Sequence, residues 1–127
     1  MSDNQKPCAC GSSPKLIFPC SGAADVGAIA DQATRQLSRE GAGKMFCLAG
    51  IGGRVEGIIK STEAAAKILV IDGCPLQCGK KTLENAGFMQ FEYVNLSELG
   101  MTKGQSEVND AHISSVVEAG KNKLVCR

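Results

Sequence analysis

The chain has 127 residues, 14 Lys and Arg against 13 Asp and Glu, a net charge of +1, and 43% hydrophobic with 21% charged residues. That is enough for one folded domain and too little for two, and it gives no electrostatic pull toward nucleic acid or an anionic membrane. The absence of Trp, with one Tyr and four Phe, argues against a base-stacking surface, while seven cysteines fall short of the share that marks a small secreted disulfide scaffold.

Residues 1–14 (MSDNQKPCACGSSP) combine prolines, serines and a glycine without apolar periodicity and read as a flexible, cysteine-containing lead-in to a single domain over 15–127. No apolar segment opens the chain, and its longest purely aliphatic run, Ile68–Ile71, is far too short for a membrane span. The expectation is a cytoplasmic protein whose thiols stay reduced, where cysteines act as metal ligands or redox groups more often than as bridges.

From Lys15 a rhythm begins. Leu16-Ile17-Phe18 predicts a buried strand ending at Pro19-Cys20, and Ser21 is the expected N-cap of a helix with Val26, Ile29, Ala30, Ala33 and Leu37 on one face, stopped by Gly41 and Gly43. Met45-Phe46-Cys47-Leu48 predicts a second strand, Ala49–Gly53 a glycine turn, and Val55, Ile58 and Ile59 a helix with a break or a fresh cap at Ser61-Thr62-Glu63. Lys67–Ile71 is the clearest strand, an aliphatic run suited to burial on both faces of a parallel sheet. It ends at Asp72-Gly73-Cys74-Pro75 and leads to a helix over Leu76–Ala86, with Gly87 as its stop. A fourth strand over Met89–Leu96, a loop over 97–107, and a helix over Asp110–Ala119 with Ile113, Val116 and Val117 facing the core complete the pattern. Alternating strands and helices predict an α/β domain: an open, mainly parallel sheet of about four strands with flanking helices, a flavodoxin- or Rossmann-like three-layer arrangement with right-handed crossovers.

The cysteines fall where such a fold places ligands. Cys20 follows the first strand, Cys47 lies near the end of the second, Cys74 follows the third, and Cys78 is expected in the first turn of the next helix, facing the same edge. Four thiolates suit tetrahedral zinc or an iron–sulfur cluster, and charge cannot choose between these cofactors. Amide-rich turns at Ser21–Ala24, at Gly50–Gly53 including Gly52 and Gly53, and at Gly73–Gly79, with Lys80 and Lys81 alongside, are expected to favour thiolate. The competing reading is that small cysteines fill space behind the sheet. The Cys74-x-x-x-Cys78 spacing lacks the two-residue gap of zinc knuckles and thioredoxin-like motifs, so its weight comes from placement with Cys20 and Cys47.

Asp72 is expected to accept from a turn amide or else to act as acid or base at the site. Cys8 and Cys10 form a separate pair that closes over the site, holds a second metal or stays idle. Cys126 reads as a spare thiol, and His112 as a surface residue. Phosphate motifs fail: Ser38 and Cys74 occupy the positions where a P-loop needs its first glycine, and Val55 replaces the third glycine of a dinucleotide fingerprint. Cysteine-phosphatase chemistry lacks its arginine, since Val26, Gly53 and Lys80 stand six positions after Cys20, Cys47 and Cys74.

The segments PCSGAADVGAIAD (Pro19 to Asp31), CLAGIGG (Cys47 to Gly53) and IDGCPLQCGKKTLENAGF (Ile71 to Phe88) resemble the DGC-domain family, whose cysteines are taken to bind zinc and whose name matches Asp72-Gly73-Cys74. The resemblance implies a zinc site at Cys20, Cys47, Cys74 and Cys78 and names no reaction. A thiol redox or sulfur-transfer protein is the rival expectation, with Cys74 or Cys20 as nucleophile, Cys78 resolving it and Cys8-Cys10 exchanging with a protein thiol partner. A carrier or sensor of a soft metal or metalloid ion is the third.

Overall fold

The computed structural model describes residues 13–125. Their elements alternate as the apolar rhythm requires: β1 (Lys15–Pro19), α1 (Asp25–Arg39), β2 (Lys44–Met45), α2 (Leu48–Gly52), α3 (Glu56–Glu63), β3 (Lys67–Asp72), α4 (Cys78–Asn85), β4 (Glu92–Asn95) and α5 (Asp110–Leu124), with a 3-10 turn over Leu96–Leu99. The four strands form one parallel sheet in the order β2-β1-β3-β4. The expected α/β architecture is present.

The two faces of the sheet take alternate residues, as the strand period of two dictates. Ile17, Leu69, Ile71 and Val94 pack under α1 and α5, against Val26, Ile29, Ala33, Leu37, Val116 and Val117. Leu16, Phe18, Ile68 and Val70 pack on the opposite side with Ile51 of α2 and Leu83 of α4, and Ile58 and Ile59 of α3 cover them. Burial of both sheet faces explains why β1 and β3 read as continuous apolar runs rather than alternating ones. A Cβ on Gly120 would stand 2.8 Å from Leu37 Cδ1, so the missing side chain is what lets α5 lie close on α1.

Several expected boundaries move. The N-cap of α1 is Ala24, without a side-chain cap, because Ser21 sits at φ 53° and turns its hydroxyl to Asp31 Oδ1 at 2.8 Å. The second strand pairs over only two residues, and Cys47 leaves the sheet to become the N-cap of α2, so the predicted glycine turn is mostly helix. The helix after the third strand begins at Cys78 rather than Leu76, because Gln77 before it takes a left-handed conformation, φ 61°. The fourth strand is confined to Glu92–Asn95, and the last helix runs on to Leu124. Lys67 Nζ donates to the carbonyls of Lys123 and Val125, and Lys15 Nζ donates to that of Leu124, so two strand lysines close the open C-terminal carbonyls of α5.

The sheet order sets the place of the site. The chain leaves β1 toward β2 on one side, and β3 returns to β1's other side, so strand order reverses between β1 and β3. In open parallel sheets the crevice beyond the carboxyl ends of the strands at such a reversal is where ligands bind. Cys20 follows β1 and Gly73-Cys74 follow β3 at that crevice, and the Cys20 amide donates to the Ile71 carbonyl at 3.0 Å.

Candidate functional site

The loop between β3 and α4 is built around one buried carboxylate. Asp72, 1% exposed, accepts from the Gly79 amide on Oδ1 at 2.8 Å, and from the Lys80 amide at 3.0 Å and the Tyr93 hydroxyl at 2.8 Å on Oδ2. These amides belong to the first turn of α4, whose own N-cap residue, Gln77, offers no side-chain bond. The last residue of β3 therefore does the capping across the loop, and its negative charge lies at the positive end of the helix. Of the two expectations for Asp72, acceptance from turn amides is the one the geometry realises. One of the amides expected to favour thiolates, that of Gly79, is thereby taken by Asp72.

Tyr93 and Asn95 tie the same loop to β4. Two apart on the strand, they share a face. Asn95 Nδ2 donates to the Cys74 carbonyl at 2.9 Å and reaches the Tyr93 hydroxyl oxygen at 3.1 Å, while its Oδ1 accepts from the Ser97 amide and hydroxyl. Burial and the bond to Asp72 push the Tyr93 hydroxyl well above the ordinary tyrosine range. Lys80 lays its ammonium 5.3 Å from the Tyr93 ring centroid, so its charge is spent on that face. Sequence reasoning missed Tyr93 and Asn95; the available signal was a lone tyrosine and an asparagine two apart at the carboxyl end of a strand.

Close backbone approach fixes the rest. A Cβ on Gly73 would stand 2.9 Å from the Val26 carbonyl carbon, and one on Gly79 would stand 2.7 Å from Asp72 Oδ1. Among the described residues, three non-glycine residues carry positive φ: Ser21, Arg54 and Gln77. Two of them adjoin cysteines, Ser21 after Cys20 and Gln77 before Cys78. Left-handed backbone at such residues costs about 1 kcal/mol each and is held by its surroundings.

All four described cysteines are free thiols, with Cys47 and Cys78 exposed and Cys20 and Cys74 half-buried. Cys20, Cys74 and Cys78 line one cavity of about 490 Å³, with Gly73, Val26 and Leu76 on its wall. Cys20 also lines a larger cavity, about 850 Å³, with Cys47, Ser21, Gly52 and the cationic residues Arg35 and Lys44. The structure thus gathers the four thiols around two adjoining spaces with Cys20 common to both. It does not gather them into one preformed quartet: among the described residues, no three His, Cys, Asp or Glu side chains stand closely enough together to hold a metal ion as placed. Gly53, expected to support the site, ends α2 instead, donating to the Ala49 carbonyl. His112 lies in the first turn of α5, half-buried, with ring Nδ1 2.6 Å from the Glu107 carbonyl oxygen. Cys8, Cys10 and Cys126 lie outside the described residues.

A loop from the other side borders the cysteine edge. Lys103 stands on the wall of the 490 Å³ cavity. Its loop is held by Asp25 at the start of α1, whose carboxylate accepts from the Gly104 amide at 2.8 Å and the Ser106 amide at 3.0 Å. Those two amides, with the Val26 amide, hold the Asp25 carboxyl below the usual carboxylate range.

Comparison with known proteins follows the same residues. A protein-family model described as DGC domain matches residues 16–119. The chain is also 34% identical over 92 residues, 72% of its own length and 70% of the relative's, to the anaerobic and virulence modulator AnvM of Pseudomonas aeruginosa. No solved structure matches it. No described helix is long and apolar enough to cross a membrane.

Proposed function

The chain belongs to the DGC-domain family, and on that premise we propose that it is a small zinc-binding protein whose metal is held by Cys20, Cys47, Cys74 and Cys78 at the carboxyl edge of the sheet. The observation that carries this reading is the position of Cys20, which is shared by two cavities that between them contain all four thiols. The chemistry of the donors fits a soft ion. Asp72, on the wall of one cavity, has its oxygens engaged by Gly79, Lys80 and Tyr93, and Asp31, on the wall of the other, is engaged by Ser21 and Arg35. Thiolate sulfur is what remains for an ion, and it suits zinc or an iron–sulfur cluster rather than magnesium or calcium. Bound zinc would supply a structural clamp with four sulfurs, or a Lewis-acid centre with three and an open position.

This chain's own residues position the thiols. Asp72, Tyr93 and Asn95 hold the Asp72–Lys80 loop so that Cys74 and Cys78 border the space Cys20 enters from β1. The relative's name speaks of modulating anaerobic life and virulence. Carried to this chain, it supports a regulatory role; the near-neutral charge and free thiols support a protein thiol partner in the cytoplasm rather than nucleic acid or a membrane.

The test is anaerobic purification without added metal, with zinc, iron and acid-labile sulfide counted per chain. Stoichiometric colourless zinc that is lost in Cys74→Ser and Cys78→Ser is the expected result. A folded wild-type chain free of metal, or metal unchanged in both variants, overturns the reading; iron with sulfide reassigns the same thiols to a cluster.

One observation favours a second reading, thiol exchange: the thiols border two separate spaces and no three donors stand together. Thiol exchange needs reachable sulfurs rather than a tetrahedral set.

A further inference from the structure

We infer that the Cys20–Cys47 cavity is a binding site for small anionic thiols and disulfides, with Cys47 as the attacking sulfur. The inference rests on the thiol-exchange reading and names its substrate class. At about 850 Å³ the space is of the size that accepts a compact organic ligand, and it opens to solvent. Two cations reach it from different elements, Arg35 from α1 and Lys44 from β2, against one acid, Asp31.

The acid does not cancel them as ligand partners. Asp31 Oδ1 accepts from the Ser21 hydroxyl and Oδ2 from Arg35 Nε, both at 2.8 Å, so the carboxylate is satisfied by this chain and orients the guanidinium. The terminal nitrogens of Arg35 have no partner among the described residues. Neither does the Lys44 ammonium, apart from the face of Phe46, whose ring centroid lies 5.8 Å away. Phe46 immediately precedes Cys47, and Lys44 and Cys47 line the same cavity. The arrangement combines donors for a carboxylate with a sulfur to react. The other cavity, with three thiols, has one cation on its wall, Lys103, where this one has two.

In the step itself the Cys47 thiol gives up its proton and its sulfur attacks one sulfur of a disulfide R–S–S–R. A Cys47–S–S–R bond forms, the R–S–S–R bond breaks, and the leaving RS⁻ takes up a proton from solvent, so the substrate disulfide is the oxidant and no other is needed.

The experiment uses the reduced full-length chain under argon, as purified and after treatment with a zinc chelator. Three disulfide probes are offered: glutathione disulfide, which is anionic, bis(2-hydroxyethyl) disulfide, which is neutral, and cystamine, which is cationic. Mixed-disulfide formation is followed by mass and located by peptide mapping. The anionic probe is expected to react roughly tenfold faster than the neutral one at low salt, and the cationic probe slowest. The adduct maps to Cys47 and is lost in Cys47→Ser. Arg35→Gln with Lys44→Gln, or added salt, brings the anionic probe to the neutral rate while reaction with neutral iodoacetamide stays as in wild type. Rates indifferent to probe charge, or adducts on Cys74 or Cys78, overturn the inference. Dependence on chelation tests the zinc reading separately: zinc held by Cys47 delays every probe until it is stripped, and the order of the probes is unchanged.

Discussion

Asp72→Asn isolates the group on which the cysteine loop depends. The carboxylate is buried and accepts three hydrogen bonds, from the Gly79 amide, the Lys80 amide and the Tyr93 hydroxyl. An asparagine can place one oxygen toward one of the two groups of donors; its NH₂ then faces the other, leaving a donor unpaired in a buried place. Hydrogen bonds to a charged group contribute about 1.5–3 kcal/mol each, and a buried unpaired donor costs about 1–3 kcal/mol, so the variant should lose about 3 kcal/mol. With a urea slope of about 1.5 kcal/mol/M, the unfolding midpoint falls by about 2 M at unchanged slope. Tyr93→Phe removes the third bond, together with the long contact from Asn95 Nδ2 to the same hydroxyl, and should lose about 1 kcal/mol. Because both changes disrupt one network, the double variant should be less destabilised than the sum by about 1 kcal/mol. The cycle is read by urea titration of far-ultraviolet circular dichroism. A midpoint for Asp72→Asn within about 0.3 M of wild type, on the same slope, would refute the assignment of Asp72 as the keystone of the loop, and strict additivity would refute its coupling to Tyr93.

The single tyrosine, in a chain without Trp, gives a clean titration signal. Burial and then its bond to Asp72 raise the Tyr93 pKa, so the folded protein should show little phenolate at about pH 11, above the ordinary tyrosine value of about 10. The unfolded chain ionises first, so this contribution to stability is whole below about pH 10 and is lost as pH rises further; ordinary phenolate at pH 10.5 in folded protein would contradict it. The sign reverses at Asp25, whose pKa is lowered by the Gly104 and Ser106 amides. Its support is whole above the unfolded value of about 3.9 and is lost as pH falls, so amide exchange at Gly104 and Ser106 should quicken selectively in Asp25→Asn; unchanged protection there would remove the latch. Two glycines on helices should answer alanine oppositely. Gly57 of α3 has open space, so Gly57→Ala should stabilise by about 0.5–1 kcal/mol, while Gly79→Ala drives a methyl to 2.7 Å from Asp72 Oδ1 and should cost about 1–3 kcal/mol despite the same propensity gain; thermal unfolding that moves both the same way would be the wrong result.

What the sequence made legible follows from where apolar residues repeat. Ile17, Leu69 and Ile71 lie in strands buried on both faces, and Val26, Ile29, Ala33 and Leu37 mark one helix stripe, so the strands, the helices and their layering could be read from period, while the strand order could not. Boundaries failed where a backbone conformation overrode side-chain habit. Ser21 has the composition of an N-cap, but its left-handed backbone sends the hydroxyl to Asp31, and α1 starts four residues later on an uncapped alanine. Gln77 similarly postpones α4 until Cys78. Cys20, Cys74 and Cys78 came together because strand ends and a first helical turn are fixed by topology. Cys47 did not join that space because the second strand pairs for two residues only, and the chain turns into α2 before reaching the end of its neighbour. Tyr93 and Asn95 stayed hidden for another reason: their roles depend on partners 21 residues away in Asp72 and Cys74, a separation that no local pattern encodes.

That long-range support bears on both readings of the cysteines. Cys74 and Cys78 sit at the two ends of a short turn whose geometry depends on a cap supplied from β3 rather than from the turn itself. A cap from within the turn would tie the helix start to the loop alone; Asp72 ties it to the sheet, where β1 delivers Cys20 and β4 delivers Tyr93 and Asn95. The spacing of Cys20, Cys74 and Cys78 is therefore a property of the sheet. In Tyr93→Phe, which keeps all four thiols and the Gly79 and Lys80 bonds, a zinc site should keep its stoichiometry but release metal faster to a chelator, as expected when outer-shell support is removed. A pure exchange site should hold no metal in either protein, and its reaction at Cys47 should be untouched, because Tyr93 acts on the loop of the other cavity. One conservative change that alters no sulfur thus separates a metal held by the edge of the sheet from a thiol that only stands there.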